Sequence, residues 1–384
     1  WGVEEVSGTL EGADRESTLV TPRGTASVPR VERNFAALRA VPVTSSPIMA
    51  DVVFRVFLVI GIGATLAGCG GFSASSSGGA LHVRKVNVQA MFLVANPANG
   101  QLYFLTNTAA GGGLFRLNPA TGATASVAAF PYKPSALAIA DDGHTAYVDF
   151  MADDKFVKVD LATGTLGTYF SIGSDPVNGQ FGAPNLAVPP GQPDSVVINY
   201  SLGGYGKTAL FTNGVIQPNV MTSDCGNLTF AGPGVAYGDF VSFGLLILCR
   251  VSVDASGVTL VSSQQGVAAP NNFETVEFAS GLAYTSVGEV LDPATNTLLG
   301  TCAVPNNGQF TIAFTPAPSR NRVYYVDDND RLVTFETQHD TLVSVQQFNE
   351  AGNPFFPEFL VPFGEHGLAL ITPDNTIALV DNAP

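Results

Sequence analysis

Leu117-Asn118-Pro119-Ala120-Thr121-Gly122, Val159-Asp160-Leu161-Ala162-Thr163-Gly164 and Leu291-Asp292-Pro293-Ala294-Thr295-Asn296 are three copies of one phrase. Each follows an apolar residue with an Asx residue and a short run of turn formers. Asx side chains hydrogen-bond to their own backbone and Pro presets φ, so each copy predicts a hairpin turn. Weaker copies are Asn213-Gly214, Asp254-Ala255-Ser256-Gly257 and Glu336-Thr337-Gln338-His339-Asp340, with Asp381 at the chain end. Successive marks lie 42, 53, 41, 38, 44 and 45 residues apart. Seven marks at that period match the length of a four-stranded propeller blade.

Short apolar strands stand upstream of the marks: Phe92-Leu93-Val94, Leu137-Ala138-Ile139, Leu186-Ala187-Val188, Leu228-Thr229-Phe230, Val276-Glu277-Phe278, Ile312-Ala313-Phe314 and Phe359-Leu360-Val361. These are the expected innermost strands. A second strand follows each, as in Gln101-Leu102-Tyr103-Phe104-Leu105 and Arg322-Val323-Tyr324-Tyr325-Val326. Their alternation and their β-branched and aromatic content favour strand over helix. The chain's 41 Gly and 25 Pro also disfavour helices. The expected fold is therefore all-β, a seven-bladed β-propeller over residues 81–384. The last repeat stops where its fourth strand should begin, and Leu81-His82-Val83-Arg84-Lys85-Val86 has no partner in the first blade. We expect this stretch to pair with Thr376-Ile377-Ala378-Leu379-Val380 and close the ring, which removes exposed strand edges.

Upstream, Val56-Phe57-Leu58-Val59-Ile60 opens an apolar run that ends in Leu66-Ala67-Gly68-Cys69. The tetrapeptide resembles the bacterial lipobox, so residues 49–68 read as a lipoprotein signal peptide and Cys69 as the lipidated residue. The run is short for a bilayer span. Residues 1–48 begin with Trp1 and lack sustained periodicity, and are expected to lie outside the folded or translated protein. Residues 69–80 form a Gly/Ser tether of the flexible kind. From Cys69 onward 11 basic residues face 25 acidic ones. No basic run exists to bind phosphate backbones, so nucleic acid is not an expected partner.

Asn118-Pro119-Ala120-Thr121-Gly122, followed by Pro134-Ser135-Ala136-Leu137-Ala138-Ile139-Ala140-Asp141-Asp142-Gly143-His144-Thr145-Ala146-Tyr147-Val148, resembles the YVTN-type β-propeller repeat of bacterial surface proteins. Ala146-Tyr147-Val148-Asp149 stands at the family's name motif, with Asp in place of Thr. The resemblance implies the fold. It does not imply an activity, because propellers of this shape serve as lactonases, dehydrogenases, scaffolds and adhesins.

Candidate chemistry is sparse. His82, His144, His339 and His366 lie in different repeats without ligand spacing. Asp327-Asp328-Asn329-Asp330 offers carboxylates to a hard cation, yet lacks the Gly and distal Glu of an EF-hand loop. A charged turn is the preferred reading, as it is for Asp153-Asp154. Gly203-Gly204-Tyr205-Gly206-Lys207-Thr208 ends like a phosphate loop, but no helix follows and it reads as a plain loop. In an exported chain one disulfide is expected, between Cys225 and Cys249. The alternative is that these cysteines, with Cys302, are small buried apolar residues. Glu277 occupies the middle of an inner strand where the other blades carry Leu, Ala, Ala, Thr, Ala and Leu. It either faces the central channel or pairs with Arg or backbone at the strand end, the second being preferred.

These features lead us to expect an envelope-tethered binding or scaffold protein for an unknown protein or polymer, monomeric and without cofactor or metal. The outer membrane or periplasm is the expected location, with the cell surface a further option. The competing expectation is a propeller enzyme of the lactonase or quinoprotein type with its site on the axis.

Overall fold

A computed structural model describes residues 81–384, except 110, 176–178, 181, 203–204, 223–224, 243–244, 266–275, 303–312, 328, 338–339 and 349–358. Its seven four-stranded sheets are antiparallel meanders that stand around one axis. The innermost strands are Phe92–Ala95, Ala136–Ile139, Gly182–Ala187, Gly226–Gly232, Val276–Ala279, Ala313–Ala317 and Leu360–Phe363. Each touches the next, and the seventh touches the first, so the ring is closed. The protein is a seven-bladed β-propeller.

Packing follows from the period-2 geometry of a strand. In the sixth blade Tyr324, Val326 and Leu332 face the seventh blade, while Phe314, Val323, Tyr325, Val333 and Phe335 face the fifth. The same division holds elsewhere, and one apolar cluster fills each of the seven interfaces between neighbours. Middle strands are thus covered on both faces. That is why Thr145–Phe150 is buried along its whole length, its polar Thr145 and Asp149 included.

The turn phrases work as their chemistry requires. Asn118 Oδ1 accepts the Ala120 N–H at 2.9 Å, and Asp160 Oδ1 accepts those of Ala162 and Thr163 at 2.8 and 3.0 Å. Asp292 does the same for Ala294 at 2.8 Å. The backbone closes the turn through Gly164 N to Asp160 O at 2.8 Å, and Gly164 has a φ of +72°. A Cβ there would meet Val127 O at 2.1 Å, so both the conformation and the close approach call for glycine.

Outermost strands expose an edge that invites pairing. Six of them, Thr124–Phe130, Leu166–Ser171, Val215–Ile216, Gly257–Gln265, Thr297–Thr301 and Thr341–Gln347, contain no charged residue. The third is only two residues long. The other five each meet their neighbour through a register shift of the β-bulge kind. A bulge twists the edge away from a would-be partner, so geometry here does the work that lysines do on other edges.

In the seventh blade the outermost strand is Val83–Val86, antiparallel to Ile377–Val380 with Val83 opposite Val380. The two strands come from opposite ends of the chain, so no turn joins them. Arg84 stands in for the turn: Nε and Nη2 reach the two oxygens of Asp381 at 2.7 and 2.6 Å. Nη2 also donates to Pro119 O of the first blade at 2.6 Å. This bidentate pair holds the Asp381 carboxyl below the usual carboxylate range.

Candidate functional site

Tyrosines fix the alignment of the inner strands across blades. Tyr103, Tyr147, Tyr237, Tyr284 and Tyr324 sit at equivalent places on their second strands, and opposite them lie Val94, Ala138, Thr229, Glu277 and Thr315. The equivalents of Glu277 therefore include Val94 and Thr315. The tripeptide comparison had placed Leu93 and Ala313 there, and ladder pairing shifts the register. Two of the tyrosines also staple blades together: Tyr147 Oη donates to Pro193 O at 2.9 Å and Tyr324 Oη to Pro384 O at 3.0 Å.

Val94, Ala138 and Glu277 are half-buried, and Thr229 is exposed. They lie on strands that surround the axis, so partial access there comes from the central channel. Among the described residues neither an arginine nor a strand-end backbone group partners Glu277. Its carboxyl is hydrogen-bonded to Thr315, the equivalent residue of the next blade. Glu277 keeps some contact with water yet is packed round by protein. Lost hydration pushes its carboxyl up to about 8, against the opposing pull of the Thr315 hydroxyl.

A second acid escaped the sequence reading. Asp149 is wholly buried at the end of the second strand of its blade. Burial pushes its carboxyl up to about 7, and nearby Asp154 adds to the shift. Ser135 Oγ, donating to Oδ2 at 2.6 Å, pulls the other way. By the same ladder alignment, Asn199, Asp239 and Ser286 occupy this position in the next three blades, and all are buried. The only signal in the sequence was an Asp where the YVTN pattern has Thr.

The remaining residues singled out above are dispersed. Cys225, Cys249 and Cys302 are buried and none is in a disulfide. Cys225 and Cys249 lie side by side as thiols in hydrogen-bonding contact, which together with burial pushes the Cys225 thiol up. Asp327 is buried, and its carboxylate takes the Arg331 guanidinium at 2.6 Å and the N–H groups of Asn329 and Arg331 at 3.0 Å. The acidic run is thus a self-satisfied turn, with Asp328 outside the described residues. Asp154 is buried at the end of a short 3-10 turn, in the left-handed region. Tyr205–Thr208 begins a strand, Tyr205–Thr212, where a loop was expected, because it pairs with the preceding strand from Leu202 opposite Tyr205. Gly203, Gly204 and His339 lie outside the described residues, as do Cys69 and everything before residue 81. His82 approaches Asp381 at 3.5 Å, and His144 sits at a turn whose N–H is accepted by Asp142 at 2.8 Å. Among the described residues no three His, Cys, Asp or Glu side chains form a group able to hold a metal.

One feature gathers charged side chains that sequence reading had left apart. A pocket of about 510 Å³ opens between the sixth and seventh blades, lined by Ser319, Arg320, Arg322, Tyr324, Gly364, Glu365, His366 and Pro384. Arg320 Nη2 is held by three carbonyls of the seventh blade, those of Phe363, Gly364 and Gly367, at 2.8, 3.0 and 2.9 Å.

No family model and no curated protein matches the sequence. Solved structures do. One is a chain of the crystal structure of the mitotic checkpoint complex, with a TM-score of 0.59 at 11% identity, covering 92% of this chain and 99% of that one. As many as 1380 solved chains match, which is how a widely reused scaffold behaves. The likeness establishes the propeller fold and leaves the choice among functions to the residues themselves.

Proposed function

We propose that this protein is an exported propeller, anchored through lipid at Cys69, that acts by binding a protein or polymer and not by catalysis. The observation that carries the binding reading is where large apolar side chains stay exposed. Among the described residues these are Val215, Ile216, Val261, Leu298, Leu299 and Val343, all on the outermost strands of the third to sixth blades. The four blades are consecutive, so one arc of the rim carries them all. A run of neighbouring blades that each expose an apolar group on the rim offers a contact surface to a partner.

A second reading, an enzyme with its site on the axis, draws support from Glu277. A carboxyl pushed up to about 8 holds its proton at neutral pH and suits a general acid. The two readings part on one experiment. The purified protein, loaded with calcium or zinc or treated with chelator, is melted and assayed on a panel of lactones. The binding reading expects no turnover and a chelator-insensitive Tm. Turnover abolished by Glu277→Gln, together with a chelator-sensitive Tm, would refute it.

The anchor is tested separately. Cells fed a fatty-acid probe should label the wild-type chain, and Cys69→Ser should abolish the label and release the protein from the membrane fraction. Equal labelling of the variant would exclude the lipobox reading. Gly70 after the cysteine carries no signal for inner-membrane retention in the lipoproteins this segment resembles, so the outer membrane is the proposed site.

A further inference from the structure

The pocket between the sixth and seventh blades carries the inference furthest. It rests on the binding reading and names a partner chemistry for it. Arg320 Nη1 and Arg322 Nε are both buried without a hydrogen-bond partner. Both arginines line the pocket, and guanidinium N–H groups left unmet beside it are costly enough to favour an acceptor that completes them. Arg322 also donates through Nη1 to Asn321 O at 2.9 Å, which fixes the plane of its fork. The Arg320 guanidinium lies over the Tyr324 ring, 5.9 Å from its centroid, and its three carbonyl contacts hold it in place. Neither arginine has a carboxylate partner among the described residues, in a chain where acidic residues outnumber basic ones 32 to 17.

The shape of the acceptor follows from these donors. One unmet nitrogen on each of two arginines matches a carboxylate, whose two oxygens can each accept a charge-assisted hydrogen bond. Glu365 on the pocket rim offsets one of the two positive charges, so a monoanion is better matched than a doubly charged phosphate. A carbohydrate acid would want an open aromatic face for its ring, but Tyr324 is only 1% exposed. Peptide, in contrast, already lies against this wall. The chain's own Ala383 N–H donates to His366 O at 2.7 Å, and Pro384 O accepts from Tyr324 at 3.0 Å.

We propose that the pocket between Arg320, Arg322 and His366 binds a carboxylate of an acidic peptide segment presented by a protein partner. The probe is a fluorescein-labelled tetrapeptide, Gly-Gly-Glu-Asp with a free terminal carboxylate, titrated into the full chain and followed by anisotropy. Its counterpart, Gly-Gly-Gln-Asn amide, has the same length and no carboxylate. The acidic peptide should bind and the amide should not. Arg322→Gln should weaken binding by about tenfold or more, the loss expected for a charge-assisted pair, with an unchanged Tm. Arg320→Gln is the poorer test, because it also removes the clamp on the seventh blade.

Equal binding of the amide, no binding of either peptide, or undiminished binding by Arg322→Gln would overturn the assignment. So would displacement of the probe by inorganic phosphate or by trigalacturonate as readily as by unlabelled peptide. Any of these results beside a silent lactone assay removes the pocket and leaves the binding reading standing. Lactone turnover abolished by Glu277→Gln removes the binding reading itself.

Discussion

Deleting residues 81–88, with Ala80 joined to Gln89, is expected to cost the ring most of its stability. The deletion strips Leu81 from the cluster between the sixth and seventh blades, and Val86 from the one between the seventh and first. It also bares the edge of Ile377–Val380 and removes the Arg84 link from Asp381 to the first blade. Burial of Leu and Val side chains contributes roughly 1.5–3 kcal/mol each when complete, so these two put up to about 3–6 kcal/mol at stake. Domains are stable by about 5–15 kcal/mol, which leaves the truncated chain marginal or unfolded at growth temperature. Urea melts of the two forms measure the effect. A synthetic peptide of residues 81–88 should restore part of the loss by occupying the vacant edge. A truncated chain that melts like the full one would show that the strand contributes nothing to closure.

Raising the pH from 5 to 8 is expected to destabilise the fold, with Asp149 and Glu277 as the two groups that drive the change. The folded-state Asp149 carboxyl titrates at about 7, above its ordinary value of 3.8. A group raised on folding adds stability that is fully present below its unfolded value. That stability is lost as pH climbs through the folded one, here between about 4 and 7. A shift of this size on a fully buried group corresponds to as much as about 4 kcal/mol. Glu277 acts in the same direction toward about 8. Asp381, Asp160 and Asp292 are held low by hydrogen bonds and act oppositely, losing their contribution only as pH falls through the lowered values. Asp149→Asn keeps the shape and an acceptor for Ser135, and should melt later than wild type at pH 8 while showing a flatter pH profile. Equal wild-type stability at both pH values, or an undiminished slope in the variant, would exclude a buried ionisable Asp149.

The sequence by itself determined the architecture, because its signals are local. The turn phrases close through hydrogen bonds spanning two to four residues, such as Asp160 to Ala162 and Gly164 to Asp160, so an Asx residue and a glycine at fixed spacing suffice to place a hairpin. Counting the hairpins gave the blades. The alternation that divides Tyr324 from Tyr325 between two interfaces is equally a property of neighbouring residues. Only the tertiary structure decided which residues meet. Glu277 found Thr315 from the next blade, where sequence had offered an arginine or backbone. Asp142 and Asp149 are both acids of one repeat, yet the first caps a solvent-side turn and falls below the usual range while the second is buried and rises. The arginine pocket gathers residues of two blades with the chain end, 43 to 60 positions apart along its contacts. Burial and partnership are set by what ring closure stacks against a side chain, and no run of neighbouring letters encodes that.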